Sequence, residues 1–162
     1  MTGYIYGMSS VESAYLLQTT PAISSFTHKD LPALMTTIAY LTQLEGPMWK
    51  RIRGKGLAYS YMITLKPNQG TLTLQLGRAA QLTEAYKEAS KIINFFLNET
   101  KRWDRLLFES ARSTLIFEII EREAEIHDVI QQSLYAYHRK VTPEYNRSAN
   151  FINAHGNNES DS

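Results

Sequence analysis

Residues 57–77 constrain this chain more than any other stretch. Over 57–65, Tyr59, Tyr61 and Ile63 fall on one face of an extended segment, with polar Ser60 and Thr64 on the other. Over 71–77, Leu72, Leu74 and Leu76 alternate with Thr71, Thr73 and Gln75. Lys66, Pro67, Asn68, Gln69 and Gly70 stand between them and carry turn chemistry. A period of two on both sides of such a turn specifies an antiparallel hairpin with one solvated face.

The flanks add helices and one more strand. Residues 13–20 suit a strand that Pro21 ends. Asp30 can cap a helix with Pro32 in its first turn. The stripe Leu31, Leu34, Ile38, Leu41 and Leu44 carries that helix to about Glu45, before Gly46 and Pro47 break it. Residues 48–53 form a short further turn. Thr83 can cap a helix that turns Tyr86, Ala89, Ile93 and Phe96 inward and ends near Asn98. Residues 101–140 lack Gly and Pro and exceed the usual helix length, which predicts a break near 122–125. Thr142 and Pro143 open a short last helix. The expected organisation is one α+β domain over 1–153, a largely antiparallel sheet with helices packed on one face, then a disordered tail at 154–162.

A chain of 162 residues fits one domain. Its 17 Lys and Arg against 16 Asp and Glu argue against a chain-wide basic footprint for nucleic acid. With no Cys, disulfides, thiolate zinc sites, iron–sulfur ligation and a Cys nucleophile are excluded. Apolar runs are far short of a membrane span, and residues 1–27 show no signal-peptide pattern.

Familiar catalytic motifs are missing. Neither HExxH nor HxxEH occurs, nor GxSxG, nor a phosphate-binding loop around Gly54, Lys55 and Gly56. His127 follows Glu123 by four residues, a helical spacing that could seat a metal, but the charged surroundings favour a solvated face. The expectation is no metal site in this chain.

Residues 49–61 stand out. Lys50, Arg51, Arg53 and Lys55 precede a Tyr-rich strand, with Gly54 and Gly56 between. Three readings apply. One is a nucleic-acid patch with aromatic platforms, disfavoured by near-zero net charge. Another is a helix C-terminus whose cations complement the dipole before a glycine exit. The third is polypeptide binding: Arg53 supplies a fork of donors, Tyr59 a hydroxyl, the glycines a close backbone approach, and the hairpin an edge for an extended peptide.

Three segments, HKDLPAL at 28–34, YLTQLEGPMW at 40–49 and the stretch from Arg53 to Tyr59, resemble the C-terminal part of pitrilysin/insulinase-family zinc metallopeptidases, in the presequence-protease-like branch. The resemblance implies a domain of a larger chambered peptidase that acts on unfolded peptides. Zinc and the catalytic residues would then lie in an N-terminal half that this sequence does not match. Arg53 and Tyr59 would hold substrate backbone, and this chain would have no catalytic residue or cofactor of its own. The implied partners are a peptide or the N-terminal peptidase half, not nucleic acid or membrane. The implied location is the cytoplasm, alternatively the mitochondrial matrix. A non-catalytic interaction module of the same descent is the alternative reading.

Overall fold

The computed structural model of the chain describes residues 3–98 and 103–147, so the expected tail at 154–162 lies outside the described residues. The elements run β1 (Ala14–Pro21), α1 (Leu31–Thr42), a π-helical turn (Trp49–Arg53), β2 (Ala58–Lys66) and β3 (Thr71–Ala79). They continue with α2 (Leu82–Asn98), α3 (Arg105–Glu121), α4 (Ile126–Arg139) and a 3-10 turn (Pro143–Arg147). This is the α+β arrangement that the alternation and helical spacing predict.

The hairpin lies in a three-stranded antiparallel sheet of order β1-β3-β2. Its register runs without a slip from Lys66 opposite Thr71 to Ala58 opposite Ala79. On the other side, β1 pairs Leu16 with Leu76 but Ala14 with Ala79, so Tyr15 faces both Gly77 and Arg78. That is a β-bulge, and Arg78 takes the left-handed conformation at φ +48°. The expected strand stopped at Gly77; the real one bends there and continues to Ala79. A Cβ on Gly77 would lie 2.5 Å from Ser60 Oγ, so a side chain there would require the Ser60 hydroxyl to turn away.

Leu74 and Leu76 meet Tyr40, Met48, Ile52, Ala85, Ala89 and Ile92 in the main core. A smaller core joins Leu31 to Leu115 and Ile119. The helices α1 and α2 lie against the strands, α3 rests chiefly on α1, and α4 chiefly on the 3-10 turn. Tyr145 ties that turn to the loop before α1 by donating its hydroxyl to the Phe26 carbonyl.

Three local expectations are corrected. Asp30 precedes α1 but its side chain makes no capping bond; its own N–H donates to His28 Nδ1 at 3.2 Å. The first helix ends at Thr42 because Gln43 turns extended, which drops Leu44 out of the apolar stripe and leaves it exposed. Thr83 is not a cap. The second helix starts at Leu82, directly after Ala80 and Gln81 donate their N–H groups to the Leu57 carbonyl, so the hairpin itself sets where the helix begins. The break between α3 and α4 falls where helix length predicted it, and the Glu125 N–H donates to Asp128 Oδ2 at 3.3 Å to start α4. No helix among the described residues is long and apolar enough to cross a membrane.

Candidate functional site

The π-helical turn is held by Met48 and Ile52, both fully buried. Because those anchors point inward, Lys50 and Arg53 point out. The turn closes with Gly54 N–H to Trp49 O at 2.8 Å and Leu57 N–H to Ile52 O at 3.0 Å, which feeds the chain into β2. Both glycines serve this exit. A Cβ on Gly54 would meet the Lys50 carbonyl oxygen at 2.7 Å, and Gly56 sits at φ +67°. At Gly54 the close approach is to its own turn. Gly56 faces open space.

The chain path brings Arg53 and Tyr59 together. The Arg53 guanidinium carbon lies 4.8 Å from the centroid of the Tyr59 ring, a cation–π contact. A second guanidinium, that of Arg78, approaches the same ring at 5.4 Å. Tyr59 keeps 57% of its surface exposed, so the group is open to solvent. Two cations and a phenol hydroxyl thus stand at one end of the sheet, able to donate to a peptide carbonyl or a carboxylate. Beside them, burial pushes the Tyr61 phenol up from its ordinary value, and the Arg53 charge opposes that rise. Tyr61 therefore remains a protonated donor at neutral pH.

Sequence reasoning missed Arg78, although a signal was present. Counting back from the turn, Ala58 meets Ala79 and Ser60 meets Gly77, which leaves Arg78 across from Tyr59. Only the assumption that the strand stopped at Gly77 hid it.

Two other cations of the cluster, Arg51 and Lys55, have a structural job. Arg51 holds Glu88 Oε2 through Nε and Nη2, both at 2.9 Å, while Lys55 reaches the same oxygen at 3.4 Å. Lys91 takes Oε1 at 3.0 Å. The Lys91 hydrogen bond, then the Arg51 and Lys55 charges, lower the Glu88 carboxyl from 4.5 to about 2 against the opposing effect of burial. This carboxylate fastens the π-helical turn to α2. Since the folded value lies below the unfolded one, the stabilisation is complete above about pH 5 and is lost as pH falls toward 2. Glu88→Gln is expected to lower Tm at neutral pH and to flatten the acid dependence, as thermal unfolding across that range will show.

His127 and Glu123 do not share a helix face, because the chain leaves the helix between them. His127 instead contacts Glu125 Oε2 at 3.3 Å and Asp128 Oδ1 at 3.2 Å. Among the described residues no three His, Asp or Glu side chains are grouped so as to hold a metal ion.

Against known proteins, the whole domain compares as follows. The inactive peptidase domain of a proposed zinc protease from Bordetella parapertussis superimposes with a TM-score of 0.69, over 88% of this chain and 79% of that one. The two share a fold. Their sequences are 13% identical, so the likeness is one of architecture. An uncharacterized protein of Caenorhabditis elegans is 31% identical over 142 residues, which is 88% of this chain. Uncharacterized proteins of Schizosaccharomyces pombe and Saccharomyces cerevisiae are each 27% identical, over 65% and 70% of this chain. The chain spans only 14%, 10% and 11% of the length of these three relatives. No family model matches the sequence.

Proposed function

We propose that this chain is a peptidase-derived domain, not catalytic on its own, that positions peptide substrate for a zinc metalloendopeptidase of the pitrilysin/insulinase type. The observation that carries the reading is the Arg53–Tyr59 contact, with Arg78 beside it, on an open surface of a domain that shares its fold with an inactive peptidase domain. In this reading Arg53 orients a substrate carbonyl or carboxylate, and the Tyr59 hydroxyl donates to a neighbouring carbonyl. Zinc and the attacking water would belong to the other half of the full-length enzyme, and no step is routed through residues of this chain. The peptide and that catalytic half are the partners. The proposed location is the cytoplasm, with the mitochondrial matrix as the alternative.

A second reading, a non-catalytic interaction module of the same descent, is favoured by one observation. Ile126, Ile130, Leu134 and Tyr137 form an exposed apolar stripe along α4. Tyr59→Phe separates the two. In a full-length protein carrying the catalytic half, the loss of one donor is expected to lower kcat/KM about tenfold with Tm unchanged, near the value of a single net hydrogen bond. Unchanged kinetics would remove the positioning role and leave the interaction module.

A further inference from the structure

The second feature of interest is the outer edge of β2, at the end away from Tyr59. A cavity of about 450 Å³ lies along it, between α1, α3 and the strand. All five consecutive residues from Met62 to Lys66 line it. Side chains of a strand alternate between its two faces, so an unbroken run of lining residues means the cavity meets the strand edge-on.

The direction of the backbone groups follows from the sheet. In a central antiparallel strand, successive residues bond alternately to the two neighbours. The Ala22 N–H donates to Gly70 O at 2.8 Å, which places even-numbered residues of β3 toward β1 and Thr71, Thr73 and Gln75 toward β2. Their partners Lys66, Thr64 and Met62 spend their backbone groups on β3. Ile63 and Leu65 therefore turn their N–H and C=O outward into the cavity, and no described group bonds to them.

The walls are apolar and the end is cationic. Leu31, Met35, Ile38 and Ile119 supply the apolar side. Lys66, Arg122 and Arg139 line the cavity along with a single carboxylate, that of Glu118. The Arg139 guanidinium carbon lies over the Phe26 ring at 4.9 Å and the Tyr135 ring at 5.3 Å, cation–π contacts that favour its place at the cavity. The usual protections of an edge are missing here, since β2 has nine residues, no Pro, and its lysine only at the end.

We propose that this edge is a docking groove for an extended peptide supplied in trans, apolar at alternate positions and acidic where it meets Lys66, Arg122 and Arg139. The peptide adds as a fourth strand, its backbone pairing with Ile63 and Leu65 and its apolar side chains packing on α1 and α3. A second copy of the chain fits worse. Two β2 edges pairing about Met62 would set the Lys66 end of one against the Arg53 and Arg78 end of the other, cation against cation. The groove does not depend on the role given to Arg53 and Tyr59.

The test uses the 162-residue chain and a labelled peptide of alternating valine and threonine with aspartate at each end. Saturable binding is expected by fluorescence anisotropy. The same peptide N-methylated on alternate residues should bind at least about tenfold more weakly, because the lost backbone bonds supply the affinity. Arg122→Glu should weaken the unmodified peptide to a similar degree. Ile63→Pro should abolish binding with the β2–β3 pairing intact, since the N–H that it removes points away from β3. Equal binding of the two peptides overturns the proposal without reference to any variant. So does a chain whose edge is already occupied by a second copy, seen as a dimer by light scattering.

Discussion

On the positioning role proposed above, Arg53→Ala in a full-length protein that carries a catalytic half is expected to lower kcat/KM for peptide substrates by about ten- to a hundredfold. The magnitude follows from hydrogen bonds made by a charged donor, worth about 1.5–3 kcal/mol each. Folding should be nearly unaffected, because Arg53 is exposed and its anchoring neighbour Ile52 carries the packing of the turn. Arg53→Lys should recover little. The guanidinium carbon lies over the Tyr59 ring, and a guanidinium offers a planar fork of donors, whereas an ammonium keeps the charge but loses the plane. Kinetics should be read together with Tm. A fall in both would make Arg53 a structural residue, and an unchanged kcat/KM would exclude substrate contact. Arg78 offers an internal comparison: it touches the same ring from across the hairpin, so Arg78→Ala should show a smaller effect of the same sign.

How much of this could be read from residues alone depends on the range of the forces involved. The hairpin register was legible because it is set locally, by alternation and by the turn at 66–70. The break between α3 and α4 was legible from helix length. Arg53 and Tyr59 could be paired because they stand six positions apart with two glycines between them. Glu88 was opaque. It stands on the buried face of α2, and two of its three cations come from a segment more than thirty residues away. Nothing in the pattern of α2 announces that a carboxylate there is paired. The cavity beside β2 was half legible: an outer strand edge could be foreseen from the hairpin. Its apolar walls could not, because Leu31 and Ile119 meet only through the packing of α1 on α3.

The same limit hid Tyr40, where the largest loss of stability is expected. Its place in the sequence suggests nothing special, since the apolar stripe of α1 reads through the leucines around it. In the fold it is 2% exposed and stands among Phe96 at 5.4 Å, Trp103 at 4.6 Å and Phe108 at 6.5 Å between ring centroids. Its hydroxyl accepts the Asp104 N–H at 3.1 Å, and Asp104 in turn caps α3 by accepting the Leu107 N–H at 3.0 Å. One side chain therefore joins α1, the end of α2 and the start of α3. Tyr40→Ala should cost about 3–5 kcal/mol, the range for an aromatic removed from a packed core. Against a total of about 5–15 kcal/mol for a domain, that leaves little or no folded protein at physiological temperature. Tyr40→Phe keeps the ring and loses one acceptor, so it should cost only about 1 kcal/mol. Urea titrations of the two variants give the comparison. If Tyr40→Ala unfolds no more readily than Tyr40→Phe, the aromatic cluster does not hold the three helices together, and the platform that supports the π-helical turn and Arg53 must be stabilised elsewhere.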